Sequence, residues 1–427
     1  MNTKFNRKQI IVFILLVLNC IVLFLTTYSN VQLDRIDNIK VVSKDINNKK
    51  SAPKDLFIEC YTTTKHSYYS KDLNNQDFAR WKKRYHNQIK TEEDAYVAIN
   101  SMLQSLNDPY SKFLSKEEFL AQNKFIDSKF EGIGVNVASV SGKIYIINVI
   151  KNAPAYNNGI KPGDIILRIN DNDINGQSIY QVTRLIRADK NQSIKLELLR
   201  GSNKFIKNIK REEIKIKTVD YKKLDNDIGY IRISSFIGAN TPKDFIVALN
   251  RLNEAKALVI DLRGNSGGLF QNAIAISNLF LDKGTIVQVI ARNGKKNTYP
   301  AKIEGCICKK PLALLVDEDS ASASEIMSSA LKDNNRAVLI GTKTYGKGLV
   351  QRTYAMPNSS GLNLTIAKYL TPNGADINKK GIKPDYTIGF SMSDYINKTD
   401  PQLDYAKKYL TEVLKKGENY AIGFNQK

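Results

Sequence analysis

The chain has 427 residues, 42% of them hydrophobic and 25% charged, and 64 Lys and Arg against 42 Asp and Glu give a formal net charge of +22. This length and apolar content suffice for two or three domains with their own cores, and they exclude a disordered or fibrous protein. The cationic side chains are spread along the chain without a helix-turn-helix, zinc-finger or RNA-binding signature, so we expect no nucleic-acid partner. An anionic membrane surface fits this charge better.

The N-terminal segment is the first predicted element. An apolar run from Ile10 to Thr27 follows Lys4, Arg7 and Lys8, which is the pattern of an exported protein whose basic end stays in the cytoplasm. Its length is near the lower limit of about 17 residues for spanning a bilayer, and no small-x-small cleavage site follows it. We therefore predict a signal anchor within residues 1–30. A removed signal peptide and a lipoprotein are the alternatives.

The next segments differ in composition and periodicity. Residues 31–56 are rich in Asn, Lys, Asp and Ser and predict a linker. Residues 57–129 predict a helical region, because apolar residues recur at three- and four-residue spacing before Asp108-Pro109 ends the pattern. Residues 130–212 predict a compact β-rich module, because β-branched runs alternate there with Gly, Asn and Pro.

The pattern then becomes that of an α/β domain at residues 213–397, followed by a helical segment at 398–427. Short continuous apolar runs predict strands that are covered on both faces, and helical stretches lie between them. These strands are predicted at residues 257–262, 312–316 and 337–340. The predicted fold class is a multidomain α/β (α+β) protein with active-site loops at the strand ends of its core.

Two polar residues follow two of these predicted strands. Ser322 lies in a Ser-Ala-Ser-Ala-Ser-Glu run where a strand turns into a helix, and Lys347 lies between two glycines after the next strand. A serine on such a turn lies near unsatisfied helix amides, which favour negative charge. A Ser-His-Asp triad is not expected, because the only histidines, His66 and His86, lie in the N-terminal region. We predict a serine nucleophile with a neutral lysine as base, whose pKa must fall from about 10.4 to roughly 7–8.

Each of these motifs also has a simpler interpretation. The serine run fits a polar turn and helix cap. The glycines beside Lys347 suit a close backbone approach, whereas a phosphate-binding loop requires a different Gly spacing and a Ser or Thr after the lysine. Gln351 follows Lys347 by four residues and is able to accept a hydrogen bond from the lysine amine. The simpler interpretation is that Gln351 is a surface residue. The glycines that close the run Asp261 to Gly268 are able to turn amides, together with that of Ala323, toward an oxyanion.

Two further motifs concern peptide binding and metals. The run Gly132, Ile133, Gly134 and Val135 is able to form a backbone nest for a terminal carboxylate beside an open strand edge, where an extended peptide adds as a strand. The four cysteines lack the neighbouring ligands of a zinc site, so we expect no metal and no cofactor.

In order and spacing, these motifs resemble the carboxyl-terminal processing peptidases, also called tail-specific proteases, from about Asp108 to Leu410. The resemblance implies a PDZ domain at residues 130–212. The features that carry it are Asp108-Pro-Tyr110 with Phe113, the β-rich module, Gly229-Tyr-Ile-Arg-Ile233, the Asp261–Gly268 loop, Ser320–Ile326, Gly346-Lys-Gly348 and Gly381-Ile-Lys-Pro-Asp385.

The resemblance also implies roles for single residues. Ser322 matches the nucleophile, Lys347 the general base and Gln351 the residue that orients this lysine, and the family's serine-to-lysine separation is kept (347 − 322 = 25). The amides of Gly268 and Ala323 match the oxyanion hole. Ser266 stands where proline is frequent and Asp317 where asparagine is frequent, which leaves loop rigidity and local charge in question.

The expected function is a serine endopeptidase that cleaves exported proteins near their C-termini through an acyl-enzyme, after the PDZ domain captures the tail. Its expected partners are protein or peptide substrates with exposed C-termini, and the membrane through the N-terminal anchor, and a homo-oligomer is compatible with the sequence. The expected location is the bacterial inner membrane, single pass, with the catalytic domain on the periplasmic side. The alternatives are a non-catalytic PDZ adaptor, and an amidase or esterase that uses the same dyad.

Overall fold

The computed structural model of the protein describes residues 51–126, 129–140, 142–177, 179–187, 192–215, 217–225 and 227–417. These fall into two compact units, one within residues 1–119 and 350–366 and the other within residues 120–349 and 367–427. The predicted anchor, and the linker up to residue 50, lie outside the described residues. Across those described ranges, no helix has both the length and the apolar character that crossing a membrane requires.

The elements of the N-terminal region and the β-rich module are, in chain order, α1 (Pro53–Ser67), α2 (Ala79–Tyr85), α3 (Glu92–Gln104), β1 (Lys112–Leu114), α4 (Lys116–Ile126), β2 (Lys129–Gly132), β3 (Val135–Val140), β4 (Lys143–Val149), α5 (Pro154–Asn157), β5 (Ile165–Ile169), β6 (Asn172–Asp173), α6 (Ile179–Arg187), β7 (Ser193–Arg200), β8 (Asn203–Lys210) and β9 (Glu212–Lys215).

The remaining elements are β10 (Val219–Lys223), β11 (Ile228–Ile233), α7 (Thr241–Arg251), β12 (Ala257–Asp261), α8 (Phe270–Asn278), β13 (Thr285–Ala291), β14 (Lys296–Pro300), β15 (Leu312–Val316), α9 (Ala323–Asp333), β16 (Val338–Gly341), β17 (Leu349–Ala355), β18 (Gly361–Leu370), β19 (Tyr386–Thr387), α10 (Met392–Asn397) and α11 (Pro401–Lys416).

The first unit is a helical layer with its own aromatic core. Thr91 caps the start of helix α3. Its hydroxyl accepts from the Asp94 amide at 3.1 Å, while the Asp94 carboxylate accepts from the Thr91 amide at 2.9 Å. This capping box satisfies two amides that a helix start otherwise leaves open. The apolar faces of α1 and α3 bury a common core with Phe57, Trp81 and Ile99. Strand β1 pairs antiparallel with residues 361–363 of β18.

The β-rich module of the second unit is an antiparallel sheet in the order β3-β4-β5-β7-β8. Strand β3 lies at one edge of this sheet, and helix α6 packs against it. The chain enters and leaves the module through the antiparallel pair β2 and β9. Arg211, next to β9, is 1% exposed and donates to carbonyls at the end of α6, including those of Leu185 and Ile186 at 2.7 and 2.8 Å.

The core of the second unit contains a six-stranded sheet in the order β10-β11-β12-β15-β16-β19, in which every pair except β10 with β11 is parallel. All residues of β12 and β15 are buried, as the continuous apolar runs predict. Because neighbouring strands run parallel, β12, β15 and β16 end at one edge of the sheet. The loops that carry Asp261 to Gly268, Ser322 and Lys347 therefore leave from the same edge.

The structure places a turn within the predicted peptide-binding run of the β-rich module. The run Gly132 to Val135 is not one strand, because β2 ends at Gly132 and β3 begins at Val135. Gly134 between them has φ +80°, and a Cβ there would lie 2.3 Å from the Cβ of Ala153. A backbone turn that only glycine accommodates at this position separates the entry strand from the edge strand of the module.

Candidate active site

Ser322 occupies the turn between β15 and α9 in a backbone conformation that is rare for any residue except glycine. Its φ is +55° and its ψ is −112°. Such a conformation costs of order 1–3 kcal/mol and is maintained only when surrounding contacts fix it. The amide of Ser322 donates to Glu325 Oε2 at 2.9 Å, and its carbonyl accepts from the Ile326 amide at 2.9 Å and from the Tyr369 hydroxyl at 3.2 Å. A strained strand-to-helix turn of this kind presents a serine hydroxyl away from its own backbone.

The carboxylate of Glu325 also holds the loop that carries Lys347. The Lys347 amide donates to Oε2 at 2.8 Å, and the Gly346 amide and the Thr344 hydroxyl donate to Oε1 at 2.8 and 2.6 Å. Glu325 is fully buried, so a carboxylate without these four donors would be costly. Ser322 and Lys347 are thus brought together through their backbone amides, which share one acceptor oxygen.

A second loop supports the Lys347 loop from the Gly381 motif. The Lys379 amide donates to the Gly346 carbonyl at 2.8 Å, and the Thr344 amide donates to the Ile382 carbonyl at 3.1 Å. Gly381 has φ +72°, and a Cβ there would lie 2.1 Å from the Thr344 carbonyl oxygen. The glycine therefore permits the close approach that fixes the backbone around Lys347.

The glycine loop after β12 packs directly against Ser322. A Cβ on Gly267, which has φ +103°, would lie 2.8 to 2.9 Å from Ala321 O, Ala323 N and Ser322 Cβ. The buried Asn265 holds this loop, because its side-chain oxygen accepts from the Gly267 amide at 2.9 Å. In the part of the chain that the structure describes, no acceptor takes the amide of Gly268 or of Ala323. The glycine loop is thus held against the turn that carries Ser322 and Ala323.

Asp317, one of the two departures from the family pattern, has a structural role. Its carboxylate oxygens accept from the Gly264 amide at 3.0 and 2.9 Å, and one of them accepts from the Ser320 hydroxyl at 3.0 Å. Asp317 thus joins the serine run to the glycine loop. A carboxylate accepts from such amides at least as well as an asparagine oxygen does.

The glycine loop is also anchored at its start by buried charges. Arg263, whose side chain is 14% exposed, lies between the fully buried Asp261 at 2.7 Å and Asp400 at 2.8 Å. Asp400 caps the last helix, α11, by accepting from the Leu403 amide at 3.0 Å. Burial alone would raise the pKa of Asp400, but hydrogen bonds from Arg263 and the Leu403 amide outweigh it and lower this pKa.

Gln351 belongs to the first unit, whereas Ser322 and Lys347 belong to the second. Its side-chain nitrogen donates to Thr365 Oγ1 at 3.3 Å, and the Thr365 amide donates to Ser111 Oγ at 3.1 Å. This chain of bonds ends at Asp108, whose carboxylate accepts from Ser111 at 2.6 Å. The Asp108-Pro-Tyr110 motif and Gln351 are therefore parts of one hydrogen-bonded cluster.

The predicted peptide-binding residues lie at the turn into the edge strand of the β-rich module. Gly132 pairs with Glu212, and Val135 with Val149. The carbonyl of Ile133 accepts from the Ala155 amide at 2.8 Å and that of Gly134 from the Ile150 amide at 2.9 Å. The turn is thus fixed to the rest of the module, and β3 is the edge strand of the sheet among the residues that the structure describes.

Cys308 and the two histidines take no part in the hydrogen bonds described above. Burial raises the pKa of the Cys308 thiol, which disfavours the thiolate that a cysteine nucleophile requires. Within the described ranges, no cluster of His, Cys, Asp and Glu is suited to holding a metal ion. Both histidines fall in the first unit, away in sequence from Ser322.

Two residues of the site were missed from the sequence. Glu325 follows Ser322 by three residues, and this Ser-x-x-Glu spacing is the signature of a capping box. This spacing predicts the bond between Glu325 and the Ser322 amide. It does not predict the bonds of Glu325 to the Lys347 loop. Tyr369 lies on β18 with no local sign that its hydroxyl reaches Ser322, because that contact depends on the tertiary fold.

Comparison with known proteins gives two family matches. The profile described as peptidase family S41 matches residues 227–388, and that described as PDZ domain matches residues 132–217. The carboxy-terminal processing protease CtpA of Bacillus subtilis (strain 168) is 40% identical over 344 residues, which cover 79% of this chain and 72% of that protein. The probable CtpA-like serine protease of Staphylococcus aureus (strain N315) is 36% identical over 310 residues, covering 71% and 62% respectively.

A solved structure shows the same relationship. The photosystem II D1 C-terminal processing protease superposes with a TM-score of 0.56 at 27% sequence identity, over 79% of this chain and 94% of that chain. The similarity therefore extends over the greater part of both chains.

Proposed function

Because this chain belongs to peptidase family S41, among the carboxy-terminal processing serine proteases, we propose that Ser322 and Lys347 form its catalytic dyad. The observation that carries the proposal is the buried carboxylate of Glu325, which accepts from the amides of both residues through one oxygen. It is supported by the conformation of Ser322, which is that of a serine on a strained strand-to-helix turn.

In the proposed reaction, neutral Lys347 removes the proton of the Ser322 hydroxyl as the oxygen attacks a substrate carbonyl. The amides of Gly268 and Ala323 donate to the oxyanion, which is commonly the largest electrostatic contribution to acyl transfer. The protonated lysine then gives its proton to the leaving amine, and an acyl-enzyme forms on Ser322. Water, deprotonated by the same lysine, hydrolyses this ester.

Gln351 is proposed to orient the Lys347 amine, which is the role that the resemblance to the family implies for it. Gln351→Ala should then lower kcat less than Lys347→Ala does, and an unchanged kcat would reject the role.

Recognition of the substrate's C-terminus is proposed for the PDZ domain. An extended tail would pair with strand β3 and place its carboxylate at the turn of Gly132, Ile133, Gly134 and Val135. The edge position of β3 and the neighbouring helix α6 support this groove. A peptide with a free C-terminus should then have a lower KM than the same peptide with an amidated C-terminus, and equal KM values would contradict tail reading by this domain.

The setting of the enzyme is also a proposal. We propose anchoring through residues 1–30 in the bacterial inner membrane, with the protease on the periplasmic side acting on exported proteins. Retention of the full chain in washed membranes, and its release when residues 1–30 are deleted, would support this. Size measurement of the detergent-purified chain would test whether it is a homo-oligomer.

Peptide cleavage by the full chain tests the dyad. Ser322→Ala and Lys347→Ala should each abolish shortening of an unstructured protein with an exposed C-terminus, followed by mass spectrometry of the products. Lys343→Ala, which removes an exposed lysine from the same loop, should retain activity. Full activity of either dyad variant would reject the assignment, and a wild-type chain that binds tails without shortening them would indicate the adaptor.

A further inference from the structure

The peptide unit between Ser322 and Ala323 is held at its oxygen from two sides. The Ser322 carbonyl accepts from the Ile326 amide at 2.9 Å, within α9, and from the Tyr369 hydroxyl at 3.2 Å, on β18. A trans peptide is planar, and its C=O and N–H point in opposite directions. The groups that fix the Ser322 oxygen therefore also set the direction of the Ala323 N–H.

Tyr369 is itself rigidly placed. Its side chain is 1% exposed, its backbone pairs with Val289 of β13, and its amide donates to the Gly348 carbonyl at 3.0 Å. Gly348 directly follows Lys347. Tyr369 therefore contacts the peptide unit of one proposed dyad residue through its hydroxyl and the loop of the other through its backbone.

We propose that Tyr369 is a positioning residue for the oxyanion hole. Its hydroxyl holds the Ser322 carbonyl so that the Ala323 N–H is directed at the developing oxyanion, and by polarising this peptide it strengthens that N–H as a donor. The inference rests on the proposed function, in which the Ala323 amide stabilises the oxyanion. Because negative charge appears on the substrate oxygen only as the reaction proceeds, the contribution of Tyr369 belongs to the transition state.

The test begins with Tyr369→Phe in the full chain, which removes one hydroxyl and keeps the ring. We expect kcat for tail cleavage to fall about tenfold with KM unchanged, the effect of losing one hydrogen bond at an oxyanion donor. Tyr299→Phe is the matched control, because Tyr299 is a half-buried tyrosine of the same unit whose ring packs on Phe270. It should retain the wild-type kcat, and a Tyr369→Phe enzyme with the wild-type kcat would overturn the proposal.

Binding of a peptide aldehyde distinguishes a role of Tyr369 in positioning the Ala323 amide from a general disruption of the site. When the aldehyde binds, a bond forms between Ser322 Oγ and the aldehyde carbon, the hydroxyl proton passes to Lys347, and the carbonyl oxygen becomes an oxyanion. Tyr369→Phe should lower the affinity of the enzyme for the aldehyde about tenfold. Binding of an uncleaved peptide to Ser322→Ala should be the same with and without Tyr369→Phe. Equal losses in both measurements would reject positioning.

The outcomes also separate this inference from the proposed function. If Ser322→Ala retains cleavage, the dyad assignment fails and the role of Tyr369 fails with it. If Ser322→Ala and Lys347→Ala abolish cleavage while Tyr369→Phe matches the wild type in kcat and aldehyde affinity, only the role of Tyr369 is rejected.

Discussion

The side chain of Glu325 accepts a hydrogen bond from the Lys347 amide at 2.8 Å, although Glu325 lies in the first turn of α9 and Lys347 in the loop after β16. The same carboxylate oxygen accepts a hydrogen bond from the Ser322 amide at 2.9 Å. A buried carboxylate has no donor of its own and is stabilised by such bonds, so it is well suited to joining two loops whose amides point inward. The backbone amides of the proposed nucleophile and base are thus held by one side chain.

The first prediction concerns this carboxylate. Glu325→Gln places an NH₂ group against amides that are themselves donors, so at least one bond is lost and its donor is left buried. We expect unfolding to become easier by about 3 kcal/mol and peptide cleavage to fall by at least about 100-fold. Denaturant unfolding and cleavage rates measure this. Glu318→Gln is the control, because Glu318 is exposed and its side chain accepts from the Thr342 hydroxyl. It should leave the unfolding free energy and the cleavage rate nearly unchanged.

Gly267 gives a test of the packing against Ser322, the proposed nucleophile. Gly267→Ala introduces a Cβ within 3 Å of Ser322 Cβ and Ala323 N, so Ser322 must move. We expect kcat to fall about 100-fold, since a shift near 1 Å at a reacting group has that effect. Gly294→Ala has a similar positive φ of +80° with nothing within 4 Å of the new Cβ, so it measures the backbone strain alone. Equal loss of activity in both variants would contradict the packing explanation.

Arg263 and Arg232 allow a comparison within one ion cluster. Arg263→Lys loses the planar fork that binds Asp261 and Asp400 together, and it leaves a fully buried carboxylate poorly paired. We expect a loss of about 3 kcal/mol in unfolding free energy. Arg232 donates to Asp261 at 3.3 Å and to the Arg263 carbonyl at 3.0 Å, from a side chain that is 39% exposed. Arg232→Lys should therefore cost less than Arg263→Lys, about 1 kcal/mol. Urea unfolding of the two variants measures this difference. Similar unfolding midpoints for Arg263→Lys and Arg232→Lys would contradict the prediction.

The pH dependence of the PDZ domain follows from Asp164. Burial raises the pKa of this carboxyl, but hydrogen bonds from Arg200 and the Lys161 amide outweigh burial, so its pKa lies below the ordinary value. A lowered pKa in the folded state means that the stabilisation is complete above the ordinary pKa and is lost as pH falls through the folded value. Asp164→Asn should therefore destabilise β7 by about 2 kcal/mol near neutral pH, less than a fully buried pair because Arg200 is 40% exposed.

Amide hydrogen exchange of β7 in the full chain measures this effect. The difference between the wild type and Asp164→Asn should shrink once the pH is below about 4. Asp171→Asn is the control, because Asp171 pairs with Lys195 at the surface, where both side chains are well exposed. It should change exchange little at any pH. A difference for Asp164→Asn that persists unchanged at low pH would show that the charge of Asp164 is not responsible.

Much of the core could be read from local sequence patterns. The strand predicted at residues 312–316 is β15, with the same bounds, and one of the helical stretches predicted between the strands is α9. They were predictable because continuous apolar runs and an amphipathic helix with a Ser-x-x-Glu start are determined by neighbouring residues. The order of motifs also predicted the family, which the comparisons confirm.

The boundary near Gly134 was harder, for a physical reason. A Gly-x-Gly run inside a β pattern fits either a continuous strand or a turn between two strands. The choice depends on Ala153, whose Cβ occupies the space that a side chain at 134 would need. That residue is distant in sequence, so no local pattern reveals the contact.

By itself, the sequence determined which residues are chemically able to react, because the near absence of histidine and the Ser and Lys after buried strands are properties of the chain alone. Only the tertiary structure decided how those residues are held. The residues that hold Ser322 and Lys347, namely Glu325, Gly267, Gly381 and Tyr369, come from separate loops, strands and a helix. Their hydrogen bonds and close approaches exist only once the sheet has brought the strand ends together.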